Sequence, residues 1–357
     1  MRFSALLREA WRDTATGASR ALWWGLAMLA LMLGAAVADL GVVRGLDQDA
    51  AAYRAAGASV ITVVAPGRVD GSACEALSKV PGIRASGAMR DSAQPLTAAA
   101  LPSSTVPSKE VTAGLPAVLN AASPAAGAVV SDQLAEALAL APGDTLATTT
   151  GSTPVAAVYA YPDDGRRAGH GYAAWLPIPA AGQRFDECWA DAWPTSARTT
   201  ALLRSTLTGQ DGQDAVAPVV SALNASLGTT FNGAERFEQR PTALLWAGVL
   251  IVATLLTFLS WRARRLALAS ALHAGVRRRD LWSLAGLETA ACLLPAALTA
   301  LGMIGVLAAA WGPGDSAPWL ILGARPVLAA VLGSAAGAAV ATLMTREKDL
   351  FRYFKQR

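Results

Sequence analysis

Charge is scarce in this sequence. Asp, Glu, Lys and Arg make up 16% of its 357 residues, against roughly 25% in an ordinary soluble domain, which argues against a wholly soluble protein. Histidine is scarcer: His170 and His273 are the only two. A Ser-His-Asp triad needs a histidine held by a third group, and His170 sits in a Gly/Arg/Asp run, DDGRRAGHGY, that reads as a solvated turn. Cysteine is limited to Cys74, Cys188 and Cys292, which excludes a disulfide-dense scaffold and, with so little histidine, a zinc centre. No G-x-x-x-x-G-K-[ST] run occurs, so the chain carries no Walker A phosphate cradle and does not hydrolyse nucleotide on its own. The acidic pairs Asp163-Asp164 and Asp186-Glu187 read as turn residues, and the sequon Asn224-Ala225-Ser226 as a chance match.

Apolar residues, by contrast, reach 53%, and the mean hydropathy is +0.36. A helix crosses the hydrocarbon core with about 20 apolar residues, and four stretches qualify: 21–40, 243–261, 282–311 and 326–344. The first is uncharged up to Asp39. It is longer than a signal-peptide core and lacks a small-residue cleavage site, so it reads as an uncleaved anchor. Arginines cluster before the first stretch, between the second and third, and after the fourth, where Arg346, Lys348, Arg352, Lys355 and Arg357 form a tail, 345–357. The loop 312–325 has one acid and one arginine. The positive-inside rule then places both termini and the segment 262–280 in the cytoplasm, and 41–240 outside it. Residues 41–240 hold 14 basic and 18 acidic side chains, and the remainder 16 and 8. The net charge of +4 therefore conceals −4 outside and +8 elsewhere. The expected fold is four transmembrane α-helices with a large α+β extracytoplasmic domain inserted between the first and second spans. In the leader 1–20, Phe3, Leu7, Ala10 and Trp11 share one helical face, as in an amphipathic cytoplasmic helix lying on membrane lipid.

Within 41–240, Leu46 to Ala56 reads as a helical stalk and Ser59 to Val64 as a strand. Ser72-Ala-Cys-Glu75 matches a capping box that opens a short helix, ended by Pro81-Gly82. Ile83 to Arg90 returns as a strand, and 91–128 is loop-rich. Ser131 caps a helix through Leu140; Gly151-Ser152 turns Thr145–Thr150 into Val155–Ala160 as a hairpin. Tyr172–Ile178 and Cys188–Trp193 are strand candidates, Thr195–Leu207 a helix, and Ala234–Arg240 a second stalk into the second span. Outside the cytoplasm Cys74 and Cys188 can persist as a disulfide; the alternative is two separate buried thiols. Cys292, in the third span, reads as a packing residue.

The segment 262–280 departs from simple anchoring. A short apolar helix, Leu266 to Leu272, is flanked by Arg264 and Arg265 on one side and, after Gly275, by Arg277, Arg278 and Arg279 on the other. Lying between two closely spaced spans, such a helix suits docking into a groove on a partner. Glu288, the one acid inside the third span, is a functional residue by default, positioned to pair with an arginine of this segment. Gly333 and Gly337 have the spacing that permits close helix contact.

These residues resemble FtsX/MacB-type ABC transporter permeases, whose interior segment has the pattern R-R-x-E-[IL]-x-[LI]-L-R-x-[LI]-G-A-[ST]-R-R-x-[IVL]. Here Gly275-Val276-Arg277-Arg278 matches the Gly-Ala-Ser-Arg part and Leu281 the closing apolar position, while Ala267 stands where the family often has Glu. Leu287-Glu288-Thr289 is similar to the family's Leu-Glu-Ala, Leu7-Arg8-Glu9-Ala10-Trp11-Arg12 to its amphipathic leader, and SDQLAEALALAPGDTLATTT with PVAAVYA to its helix, Gly-Asp turn and two strands. The alanine-rich outer domain looks most like actinobacterial members. The resemblance implies a non-catalytic permease subunit in a bacterial plasma membrane. It implies a separate ABC-type ATPase subunit, carrying ATP and Mg, docked on Arg264, Arg265, Leu268, Leu272, Gly275 and Arg277–Arg279, and no cofactor on this chain. It further implies a second permease chain, identical or paralogous, and an extracytoplasmic protein as a further partner, with no nucleic acid. Motion would pass from the ATPase to the outer domain, for export or envelope remodelling. The competing reading is a membrane-anchored sensor with an extracytoplasmic ligand-binding domain; its cytoplasmic parts are short for an output domain.

Overall fold

The computed structural model describes residues 8, 12, 21–94, 96–209, 217–312 and 314–346. The amphipathic leader, apart from Arg8 and Arg12, and the tail from 347 onward lie outside the described residues. The chain divides into two units, Met1–Asp47 with Gly233–Arg357, and Gln48–Asn232.

Among the described residues four helices are long and apolar enough to cross a membrane. They are α1 (Ala21–Ala55), α7 (Leu245–Ala263), α9 (Arg278–Trp311) and α10 (Ala317–Leu343). Their mutual core is made of Met28, Met32, Ala36 and Leu40 from α1, Val249 and Ala253 from α7, Ile304 from α9 and Ala330 from α10. Their outer faces carry Leu255, Leu259, Leu298, Val306, Ile321, Leu328 and Leu332, all more than half exposed. Apolar residues on both faces of a helix are a membrane signature, since water would penalise the outer set. α10 packs chiefly on α7. The reason is the lack of side chains at two places: a Cβ on Gly333 would lie 2.4 Å from the Leu250 carbonyl oxygen, and one on Gly337 2.3 Å from that of Thr254.

The third helix begins at Arg278, four residues before the expected 282, and two boundaries differ more from the sequence expectation. The fourth helix begins at Ala317, not 326, so the expected loop 312–325 contracts to the residues before it. Pro318 occupies the first turn, where its missing N–H costs nothing, and Arg325 stays exposed on the flank. The second stalk is not continuous with α7. It is a short helix, α6 (Gly233–Glu238), followed by turns up to Leu244. Pro241 explains the break, because proline disfavours helix in the residue before it.

The second unit is a nine-stranded mixed sheet in the order β11-β1-β10-β2-β5-β9-β6-β8-β7. The strands are β1 (Val60–Asp70), β2 (Ile83–Asp91), β5 (Ser108–Val111), β6 (Ala128–Ser131), β7 (Thr145–Thr148), β8 (Gly151–Tyr159), β9 (Ala174–Pro177), β10 (Arg184–Ala192) and β11 (Val219–Ala222). A separate pair, β3 (Leu96–Thr97) and β4 (Thr105–Val106), lies in the stretch read as loop-rich. The centre is antiparallel; β5 with β9 and β6 with β8 are parallel. Alternation sends Ile61, Val63, Cys188 and Ala190 to one face, and Val60 and Trp189 to the other. The first face is covered by α2 (Gly71–Ala76) and α5 (Ala197–Arg204), the second by α3 (Leu115–Val118).

Cys74 on α2 and Cys188 on β10 form a disulfide across 114 residues. The cap of α2 is Asp70, not Ser72: its carboxylate accepts from the Ala73 N–H at 2.9 Å. Glu75, expected to complete a capping box, instead accepts from the Gly114 N–H at 2.9 Å. Ser131 caps α4 (Asp132–Leu138) by accepting from the Leu134 N–H. The hairpin between β7 and β8 turns at Thr149-Thr150, two residues before the expected Gly151-Ser152.

His170 is not a solvated turn residue. It is 3% exposed and sits edge-on to Trp189 at 5.0 Å, while its carbonyl accepts from the Tyr159 hydroxyl at 2.7 Å. Burial first, then the Arg167 and Lys109 charges, depress its pKa to about 3. Asn224 is fully buried, and its side-chain amide donates to the Ala56 and Asp164 carbonyls. A side chain so committed is a structural tie and not a glycan acceptor.

Candidate functional site

The segment between α7 and α9 is built by two breaks in otherwise helical sequence. α7 stops at Ala263, Arg264 turns the chain, and α8 runs over Arg265–His273. Gly275 then takes a φ of +86°, which an L side chain resists. Arg277, extended at φ −71° and ψ 144°, caps the start of α9.

The two faces of α8 differ. Leu268 and Ala269 are buried, in a cluster with Trp261, Leu281, Ala285, Ala338 and Ala341. Leu272 and Val276 pack partly against it. Leu268 was expected on a docking surface; it is turned inward, because the i, i+4 spacing from Arg264 puts it over the ends of α7, α9 and α10. The outward set is Ala267, Ser270, His273, Ala274 and Gly275, continued by Arg277, Arg278 and Arg279, all exposed. Arg265 is half-buried at the edge.

Glu288, 2% exposed on α9, forms an ion pair with Arg264 Nη1. The Arg264 guanidinium also lies over the Trp261 ring at 5.0 Å, and the Trp261 indole N–H donates to Thr289 Oγ1 at 3.3 Å. The start of α8 is thereby tied to α7 and α9 by charge, ring and hydrogen bond together. Cys292 is a free thiol one turn along α9 from Glu288.

A second ion pair at the other end of α7 was not read from the sequence. Asp39 on α1 accepts from Arg240 Nε at 2.8 Å and Nη2 at 3.4 Å, and from Thr242 Oγ1 at 2.5 Å. Arg240 also donates to the Phe237 carbonyl at 2.7 Å and stacks over the Phe237 ring at 4.0 Å. Asp39 and Arg240 are 6% and 7% exposed. The available signal was the lone acid in the first apolar stretch; its partner lies 201 residues away. Gly333 and Gly337 are apart from both ion pairs, at the α7–α10 contact. Among the described residues no three His, Cys, Asp or Glu side chains converge as metal ligands.

No protein-family profile matches the chain, and no curated protein matches it. Among solved structures it is similar to the periplasmic region of MacB from Actinobacillus actinomycetemcomitans, at 11% identity and a TM-score of 0.34, over 49% of this chain and 94% of that one. It is also similar to a domain of a "putative Permease protein" from Porphyromonas gingivalis, at 12% identity and a TM-score of 0.30, over 46% of this chain and 87% of that one.

Proposed function

We propose that this chain is the membrane-embedded permease subunit of an FtsX/MacB-type ABC system and is itself non-catalytic. The observation that carries the reading is α8: a short helix held by its inner face between two apolar helices, with an arginine-flanked outer face left open. Arg277, Arg278 and Arg279 with Ala267 and Ser270 form the surface on which a separate ATPase subunit docks, and that subunit carries the ATP and Mg. Leu268 and the Arg264–Glu288 pair act behind this surface, making α8 move as one body with α7 and α9. Two such chains, identical or paralogous, pair in the membrane. Hydrolysis in the ATPase is relayed through the helices to the sheet unit, for export or envelope remodelling. In this reading α8 and both termini lie on the cytoplasmic side of the bacterial plasma membrane, which the arginine distribution supports.

Capture of the tagged chain from its own membranes tests this. The wild type brings down a Walker-type ATPase whose turnover changes on association. Arg277→Glu with Arg278→Glu abolishes capture without unfolding the chain. Recovery of no ATPase with the wild type, or undiminished capture by the double variant, overturns the reading.

A further inference from the structure

The sheet unit contains a cavity of about 470 Å³, within the range of small-ligand sites, roughly 300–1,000 Å³. Three arginines line it, Arg54, Arg84 and Arg166, against one carboxylate, Asp191. A second cavity of about 210 Å³ shares Arg54, Arg84 and Asp191 and adds Trp193.

The charges in this cleft are unequally committed. Both oxygens of Asp191 are taken: Oδ1 accepts from Ser59 Oγ at 2.7 Å and Oδ2 from Arg84 Nε at 2.5 Å. Arg84 also donates through Nη1 to the Ala117 carbonyl at 3.1 Å and through Nη2 to that of Val118 at 3.0 Å. Arg166 donates through Nη2 to the Ala55 carbonyl at 2.6 Å, and its Nε faces Asp164 at 3.1 Å. Asp191 balances the charge of Arg84 and Asp164 that of Arg166, so the net positive charge of the cleft rests on Arg54, while the backbone carbonyls orient the other two guanidinium groups and each retains further N–H donors. Arg54 is exposed, with its guanidinium 5.6 Å over the Trp193 ring. The remaining wall is mostly apolar, with Val118, Leu119, Val158 and Pro162, and carries one amide, Asn120. Pre-oriented guanidinium forks favour carboxylate or phosphate oxygens, and the mostly apolar wall favours a hydrocarbon.

The geometry points to a binding site for an amphiphilic anion: a carboxylate or phosphate group, held by Arg54 with the free donors of Arg84 and Arg166, on a short apolar body. The site belongs wholly to the sheet unit and does not depend on the docking role of α8.

Calorimetric titration of the full chain in phosphatidylcholine nanodiscs, with empty discs as background, tests it. The probes are hexanoate, hexyl phosphate, hexanol and inorganic phosphate. At least one hexyl anion binds, and the stronger of the two identifies the headgroup. Hexanol and inorganic phosphate bind about tenfold or more weakly, since each lacks one half of the recognition. Arg54→Ala weakens the anion about tenfold, Arg54→Lys restores part of it, and Lys79→Ala, outside the cleft, has no effect. Arg54 is exposed, so its variants fold. Equal binding of hexanol, equal binding of inorganic phosphate, no anion binding above empty discs, or wild-type binding by Arg54→Ala each overturns the proposal.

Discussion

In the helical unit, ion pairs are buried at the two ends of α7; in the sheet unit, besides the Asp191–Arg84 pair, a buried titratable side chain, His170, is held neutral among aromatic rings. The helical arrangement keeps full charges where apolar helices meet, and each charge depends on its partner. Losing one member strands the other in apolar surroundings. His170 has no such partner to lose, but its packing fails when acid puts a charge on the ring. The pairs at the ends of α7 should therefore break by substitution and the packing around His170 by pH. A second difference lies in the covalent tie: the Cys74–Cys188 disulfide belongs to the sheet unit, while the helices rely on close backbone approach at Gly333 and Gly337.

The largest expected effect is at Asp39. Asp39→Ala leaves Arg240 buried and uncompensated, which costs roughly 3–5 kcal/mol. Hydrogen exchange of the full chain in nanodiscs should show protection lost in α1 and α7 and retained in β1 and β10. Asp39→Leu with Arg240→Leu should recover most of the loss, because replacing both partners removes the stranded charge. Equal loss across both units would mean that the pair does not act locally, and the contrast between the units would fall.

The disulfide is of similar size. It closes a loop of 114 residues, a constraint that polymer entropy values at roughly 4–5 kcal/mol before native-state strain reduces it. Cys74→Ala with Cys188→Ala should lower protection in β1, β2 and β10 and leave α7 and α10 unchanged. A loss shared by the helices would contradict the division.

Which of these features was legible follows from their range along the chain. The apolar runs, the Ser131 cap and the short helix before Gly275 are local patterns, read within a window of a few residues. The arginine partner expected for Glu288 lies 24 residues away in the adjoining segment, and the structure supplies it as Arg264. The Asp39–Arg240 pair joins residues 201 apart, and no local pattern announces it. The same holds for the parallel pairing of β6 with β8 and for the outer part of the sheet. His170 misled because its sequence neighbours are polar and glycine-rich, while its surroundings in space are Tyr159, Tyr161 and Trp189. The inward turn of Leu268 was hidden for a related reason: an amphipathic helix shows which residues share a face, and the tertiary structure decides what that face meets.

His170 gives the third test. Its folded pKa, about 3, is below the ordinary histidine value of 6.5. The neutral ring is thus favoured by folding. Its contribution is fully present above the unfolded pKa and is lost as pH falls through the window from 6.5 toward 3. The loss is about 1.4 kcal/mol per pH unit, or roughly 2 kcal/mol at pH 5. Stability of the sheet unit, followed by hydrogen exchange corrected for intrinsic rates, should decline over that window. His170→Phe should flatten the decline and keep the aromatic contacts. An equally steep decline in that variant would assign the acid sensitivity to other groups.

The smallest stability effect is expected where the functional effect is largest. Arg278 is exposed at the first residue of α9. A cation sits unfavourably at a helix N-terminus, so Arg278→Ala should change stability by no more than about 0.5 kcal/mol, toward greater stability if either way. Leu268→Ala, by contrast, opens a cavity beneath α8 and should cost roughly 2–5 kcal/mol. The two variants separate docking from support. If Arg278→Ala loses ATPase capture at unchanged stability, the outer face of α8 carries recognition. If only Leu268→Ala loses capture, with the helical unit loosened, the segment serves to hold the helices together and the exposed arginines serve only to anchor the chain at the membrane surface.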